Sequence, residues 1–191
     1  VIKLGKKEQD AQKEKLIREG YTHIQDAGLK APYEELNKFF DKIVEQGLPP
    51  VFSFVYDEMW HLSTQLNSVL NHMFGDEYAM LPDFWAWRVA PGQAGWSPHR
   101  DKPAGALFPD KTPKSLTVWL PLNEAHPLNG CMYVLPADRD MFYGTPNPKG
   151  FGGQLPDVRA LPAQAGDVLI WTQHVFHWGG HSADNHHLPP R

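Results

Sequence analysis

At 191 residues the chain is sized for one domain with a sizeable core. Its formal charge of −4 and pI near 6.2 argue against nucleic-acid and membrane-surface partners, and no apolar run reaches the roughly 18 residues of a transmembrane helix. The single cysteine, Cys131, excludes an internal disulfide and a cysteine-based zinc site and fits a reducing, cytoplasmic compartment; the first residue is Val1 rather than Met, so an upstream stretch, with any targeting segment, is expected to be missing.

Residues 3–18 are charged with few apolar positions, which predicts a solvated helix. Gly20-Tyr21-Thr22-His23-Ile24 predicts a short strand. Pro32 opens a helix whose stripe, Leu36, Phe39, Phe40, Ile43 and Val44, has the spacing of a core-facing surface. Gly47 and Pro49-Pro50 stop it. Asp57 is placed to cap a further helix with the stripe Met59, Leu62, Leu66, Val69, Leu70 and Met73, ended by Gly75.

From Asp83 the helical period is lost. Phe84 to Val89 reads as a strand closed by Pro91-Gly92. Residues 115–122 form the next, with Leu116, Val118, Leu120 and Leu122 on one face and Thr117 and Trp119 on the other. Both faces are largely apolar, so helices are expected over one and a pocket behind the other. The Asn129-Gly130 turn leads into a strand over 131–135. Residues 138–162, rich in Pro, Gly and Asn, are expected to be a long loop. Gly166-Asp167 then turns into a strand over 168–171, and a last short strand over 175–178 carries His177. Helices followed by strands predict an α+β, mainly β, fold: an antiparallel double-sheet jelly roll with the N-terminal helices packed on one sheet. The expected organisation is one domain, 1–191, helical over 1–82 and β over 83–191.

The chemistry centres on Trp96-Ser97-Pro98-His99-Arg100-Asp101. A histidine and a carboxylate two residues apart on extended or turning backbone can reach one divalent cation. His177 is the best third ligand, with His174 its rival. Two histidines and a carboxylate on one face of an octahedron leave three open positions, the arrangement used by non-haem Fe(II) oxygenases. Alone, His-x-Asp reads more readily as a pair of surface turn residues; its context reverses that. Of the other candidates, Arg88 reads equally well as pocket-facing or as a rim ion-pair partner. Trp85, Trp87 and Trp171 are expected in the core, and Trp178 beside the distal ligand. His181, His186 and His187 are expected in a surface loop. Arg100, Lys102 and Arg139 read either as attractors for an acidic substrate or as solvated charges.

Several strings occur in one order: Ser97-Pro98-His99-Arg100-Asp101, Val118-Trp119-Leu120-Pro121-Leu122-Asn123, Asn129-Gly130-Cys131-Met132-Tyr133-Val134-Leu135-Pro136, Ala165-Gly166-Asp167-Val168-Leu169-Ile170-Trp171, and Phe176-His177. Together they resemble the phytanoyl-CoA dioxygenase family of Fe(II)/2-oxoglutarate-dependent oxygenases. The resemblance implies a cupin-like double-stranded β-helix. It implies His99, Asp101 and His177 as catalytic iron ligands, Arg191 as the partner of the far carboxylate of 2-oxoglutarate, and Trp119 and Thr117 as lining for that cosubstrate. The activity implied is hydroxylation of an unactivated carbon of a small-molecule substrate, consuming O2 and releasing succinate and CO2, with ascorbate in support. Because Asp101 is present, where related halogenases carry a small residue, hydroxylation is favoured over halogenation. The family's closing strand is expected beyond Arg191. Two other readings stay open: a cupin-like metalloprotein or isomerase without 2-oxoglutarate, and a metal-free jelly-roll binding module.

Overall fold

A computed structural model describes residues 4–75, 79–146, 148–184 and 187–191. Three α-helices and one strand come first: α1 (Lys6–Glu19), β1 (Tyr21–Ile24), α2 (Tyr33–Glu45) and α3 (Asp57–Phe74). Five strands follow: β2 (Leu116–Trp119), β3 (Met132–Leu135), β4 (Arg159–Leu161), β5 (Val168–Thr172) and β6 (Phe176–Gly179). The helices, of 14, 13 and 18 residues, hold more of the described chain than strands of three to five, so the protein is mixed helix and sheet rather than mainly β. No helix among the described residues is long and apolar enough to cross a membrane.

The strands form two antiparallel sheets, in the orders β1-β5-β2 and β4-β3-β6. Strand β5 joins the two halves of the core. Its five residues are all buried, and their alternation sends Val168 and Ile170 to the helical side and Leu169 and Trp171 to the opposite side. The first side packs against Leu36 and Phe40 of α2, against Met59, Leu62, Val69 and Met73 of α3, and against Leu116 and Val118 of β2. The second side meets Met132 and Val134 of β3, with Trp119 alongside. The apolar surfaces read from strand 115–122 thus face a helical layer and the second sheet.

Local chemistry explains most boundaries. Helix α1 is charged and buries only Leu16. It ends at Gly20, whose φ of 76° is left-handed, and a Cβ there would lie 2.4 Å from Val175 Cγ2, so only glycine fits. Pro32 precedes α2 at the cap position. Asp57 is the first residue of α3 rather than its cap, which falls on Tyr56; its carboxylate still lies in the first turn, where the helix dipole favours it.

Two further expectations are corrected. Residues 84–89 form no ladder strand, and only Val89 pairs, exchanging two backbone hydrogen bonds with Arg191 at 2.5 and 3.0 Å. Residues 138–162 are more than a loop. They contain two short 3-10 turns and β4, whose Ala160 stands opposite Tyr133 of β3. The strand is three residues long and begins with Arg159, too short for alternation to register in the sequence.

Asp167 is the joint between β5 and the N-terminal half. One oxygen accepts from the Asp26 backbone N–H at 2.9 Å; the other accepts from the Gln164 N–H at 2.9 Å and contacts His23 Nε2 at 2.9 Å. Asp167→Ala would remove two hydrogen bonds to its carboxylate, from the part-buried Asp26 and Gln164 N–H groups, at a loss of roughly 1–3 kcal/mol. A lowered urea midpoint with unchanged slope in equilibrium unfolding checks this, and Asp167→Asn is expected to recover part of it.

Candidate metal centre

The loop carrying His99 and Asp101 lies between the two sheets and is tied to both. Its His99 end forms an antiparallel bridge with β6, the backbone N–H of each of His99 and His177 donating to the other's carbonyl at 3.0 and 2.9 Å. Its Asp101 end docks on the first sheet. There Thr117 Oγ1 donates to Asp101 Oδ2 at 2.6 Å and Trp171 Nε1 donates to the same oxygen at 3.1 Å. Thr117 and Trp171 are themselves directly opposed in the β2–β5 ladder.

That leaves Asp101 Oδ1 facing the histidines. It lies 3.2 Å from His99 Nε2 and 3.5 Å from His177 Nε2, and the two imidazole centroids are 4.4 Å apart. One ligand atom from each of the three residues falls within 4.8 Å of the others. Each histidine contacts a backbone carbonyl through Nδ1: Ser97 O at 2.7 Å for His99, and Val175 O at 3.0 Å for His177. A carbonyl only accepts, so Nδ1 carries the hydrogen and a neutral ring presents its Nε2 lone pair to the centre. Two lone pairs and a carboxylate oxygen then converge with no hydrogen between them, a donor set that suits a divalent cation.

Protonation follows from the same contacts. Burial acts to raise the Asp101 pKa; with the imidazoles in their protonated forms, the hydrogen bond from His99 Nε2 and the charge of His177, together with the donors Thr117 and Trp171, hold it down at about 2. Burial lowers the pKa of His177. At His99 burial also acts to lower it, but the Asp101 hydrogen bond, the Ser97 carbonyl and the Asp101 charge prevail and raise it.

Arg191 packs over Gly179, two residues beyond His177 and therefore on the same face of β6; a Cβ on residue 179 would lie 2.6 Å from Arg191 Nη2. The guanidinium is largely buried, and desolvation pulls its pKa down to about 10. Nη1 reaches Met132 Sδ at 3.5 Å, Nε has no partner, and no described carboxylate pairs with it. Trp119 lies among the apolar side chains between the sheets. Thr117 is at the centre, but its hydroxyl is engaged by Asp101 rather than free to line a cavity.

Other candidates separate cleanly. His174 is buried, not solvent-facing, and turns away from the triad onto Tyr143, 5.3 Å between ring centroids. Arg88 Nε pairs with Asp41 on α2 at 2.6 Å. Trp178 points to the outer face of β6, stacked on Tyr133 at 5.5 Å, because strand alternation sends neighbours of His177 the other way. His181 and His187 are exposed, and His186 lies outside the described residues. Trp85 and Trp87 are exposed, not core. Arg100 is no attractor for substrate: it is buried, with Nη1 2.7 Å from Asp140 Oδ2 and 2.6 Å from the His174 carbonyl, and Nη2 3.1 Å from the Gly150 carbonyl. A cleft of about 210 Å³ beside His99 is lined by Pro103, just past the His99–Asp101 loop, and by Pro148 and Gly150 from the 138–162 segment; a larger one, about 590 Å³, lies among residues 138–157 and includes none of the triad. Trp171 is the site residue that sequence reasoning missed. Its parity with Leu169 marked the sheet-facing side, but its indole N–H donation depends on a loop 70 residues away.

The phytanoyl-CoA dioxygenase (PhyH) family model matches residues 58–186. The chain belongs to the phytanoyl-CoA dioxygenase family. All three residues of the triad fall within the span matched to that family, and Arg191 lies just past it. Among solved structures, the chain is similar to the epimerase SnoN in complex with Fe3+, alpha ketoglutarate and nogalamycin RO, at 18% identity and TM-score 0.61, covering 96% of this chain and 80% of that one. It is similar to EvdO2 from Micromonospora carbonacea var. aurantiaca complexed with 2-oxoglutarate, at 13% identity and TM-score 0.57, covering 97% and 88%. The alpha ketoglutarate dependent carbocyclase SnoK gives 17% and 0.51, covering 95% and 80%. At these identities the likeness is one of fold. No curated protein matches the sequence significantly.

In this member of the phytanoyl-CoA dioxygenase family the depressed Asp101 pKa makes a signed prediction. A lowered carboxylate pKa contributes stability that is present above the unfolded value, 3.8, and is lost as pH falls through about 2. Trp171→Phe and Thr117→Val each remove a donor to the charged form. Each is expected to raise the Asp101 pKa, measured by carbon-13 NMR titration of its carboxyl, and to shrink the acid-sensitive part of stability.

Proposed function

We propose that the protein is an Fe(II)- and 2-oxoglutarate-dependent oxygenase that hydroxylates an unactivated carbon of a small-molecule substrate. The observation that carries this reading is the convergence of His99 Nε2, His177 Nε2 and Asp101 Oδ1, with each Nδ1 turned to a carbonyl, in a chain of the phytanoyl-CoA dioxygenase family. In this reading the two sheets are the halves of a double-stranded β-helix, and residues 1–191 act as one domain with its helical part over 1–82.

His99, Asp101 and His177 would hold Fe(II). The bound metal, with 2-oxoglutarate and O2, supplies the oxidation, in which 2-oxoglutarate yields succinate and CO2 and one oxygen atom goes to substrate. The chain's own residues supply placement and exclusion of water. Thr117 and Trp171 hold Asp101 Oδ2 so that Oδ1 alone faces the centre. Arg191 fits the far carboxylate of 2-oxoglutarate: its planar fork gives two parallel hydrogen bonds, and its buried, unpaired guanidinium needs an anion. Trp119 would cover the aliphatic part of the cosubstrate. The loops that line the cleft beside His99 would close over the substrate. SnoN and SnoK are named as an epimerase and a carbocyclase, so the same site also admits outcomes without oxygen insertion. Incorporation of label from 18O2 into product separates hydroxylation from these.

His99→Ala and His177→Ala are each expected to remove most bound iron, measured by elemental analysis, while His174→Ala keeps it; iron lost from the His174 variant and retained in the His177 variant would reassign the distal ligand. Because the metal must displace a proton, affinity is expected to fall with acidification, and the raised His99 pKa places the onset of that loss above the ordinary histidine value of 6.5.

Arg191→Ala is expected to weaken 2-oxoglutarate binding by about ten- to a hundredfold, the range of a lost charge-assisted hydrogen bond of roughly 1.5–3 kcal/mol, with iron content unchanged. Calorimetric titration of 2-oxoglutarate into the Fe(II) protein under nitrogen measures it. An unchanged affinity assigns the role elsewhere.

A further inference from the structure

We propose that Trp85, Trp87 and Trp96 form a stacking wall that binds a planar aromatic ring system bearing carbonyl or hydroxyl oxygens and delivers it to the centre at His99. The inference rests on the oxygenase reading above and names the substrate class.

The wall is built by a period of two. Exposure alternates along segment 84–88: Ala86 and Phe84 pack toward the helices and Arg88 pairs with Asp41 of α2. The alternate residues Trp85 and Trp87 are therefore turned to the opposite side. They are 67% and 46% exposed, and Trp96 is 49% exposed, an unusual amount of indole surface to leave in water. The rings are ordered relative to one another. Trp85 and Trp87 stack with centroids 5.8 Å apart and planes within 9°. Trp87 lies 4.6 Å from Trp96 with the planes tilted by 54°, and Trp96 meets the His99 imidazole edge-on at 5.9 Å. A run of aromatic contacts thus leads from the exposed Trp85 to His99.

The polar surroundings select among flat ligands. Trp85 Nε1 already donates to Asp83 at 3.0 Å, the Arg88 guanidinium is engaged by Asp41, and the Gln93 side-chain oxygen accepts from the Ala90 backbone N–H at 2.9 Å. A sugar ring on an aromatic platform needs several side-chain hydrogen bonds around its rim, and these neighbours are committed. The indole N–H groups of Trp87 and Trp96 have no acceptor among the described residues. Ring faces plus two N–H donors match an aromatic polycycle with peripheral oxygens. The indoles lose little conformational freedom on binding it, since each turns about only two side-chain torsions.

The test is calorimetric titration of anthraquinone-2-sulfonate, which has no metal-chelating hydroxyl pair, into the metal-loaded protein. Binding is expected in wild type. Trp87→Ala and Trp85→Ala are each expected to weaken it by about five- to a hundredfold, the range for loss of one stacked ring, and Trp87→Phe to retain most of it, with metal content and melting temperature unchanged. Should Trp87→Ala fail to fold, Trp85→Ala and Trp87→Phe carry the comparison. The proposal is overturned if wild type does not bind the probe, if the tryptophan variants bind it equally, if cellobiose binds in its place with the same tryptophan dependence, or if sedimentation velocity shows a dimer that Trp87→Ala dissociates. Probe binding with no retained iron would keep the wall and remove the oxygenase reading; iron and 2-oxoglutarate binding without the probe would do the reverse.

Discussion

The carboxylate of Asp101 joins the two sheets. One oxygen accepts from Thr117 and Trp171, a cross-strand pair of the first sheet; the other faces His99 and His177, which share a backbone bridge at the edge of the second. A carboxylate with one oxygen fixed by two donors has little freedom to rotate, so the remaining oxygen is presented in one direction. The same division keeps Asp101 ionised: its surroundings offer hydrogen-bond donors on one side and imidazoles on the other, which outweigh the penalty of burial. Much of the surrounding architecture serves to hold these two contacts in register.

Arg100, between the two loop ligands in sequence, points the opposite way into a buried ion pair with Asp140 and onto the carbonyls of His174 and Gly150. Successive side chains of the loop therefore go to the centre, into the protein and back to the centre. The arrangement couples the metal-site loop to the 138–153 stretch, so the floor of the site and one wall of its adjacent cleft share an anchor. Breaking such a pair leaves an uncompensated buried charge, typically a loss of about 3–5 kcal/mol. Arg191 contrasts with it: equally basic and largely buried, but without a described anionic partner.

The helices act at one remove. By covering Val168, Ile170, Leu116 and Val118 they hold β5 and β2 flat against their partners, and that ladder sets Thr117 opposite Trp171. They also hold one face of segment 84–89, which leaves Trp85 and Trp87 outward beside Trp96. The placement of His177, the carboxylate support from Thr117 and Trp171, and the aromatic surface thus descend from alternation along β6, β2, β5 and segment 84–89.

Periodicity and local chemistry were enough to read the helices over 33–45 and 57–74 and the strand positions around Tyr21, Val118, Val134, Ile170 and His177, because apolar spacing and glycine and proline stops are properties of neighbours in the chain; they nominated His99, Asp101 and His177, but the resemblance was needed to prefer these over surface turn residues and over His174. Family resemblance added the order of the motifs. Only the tertiary structure decided the rest. Trp171 became a donor to Asp101 because a distant loop crosses its strand; Thr117 turned its hydroxyl to the same oxygen because the β2–β5 register set it opposite. Arg100 was drawn inward by Asp140, and Trp85 and Trp87 were left outside because the segment carrying them pairs only at Val89, with Arg191. Each of these depends on contacts between residues far apart in sequence, where composition and spacing specify that a side chain is polar or apolar but not what it will meet.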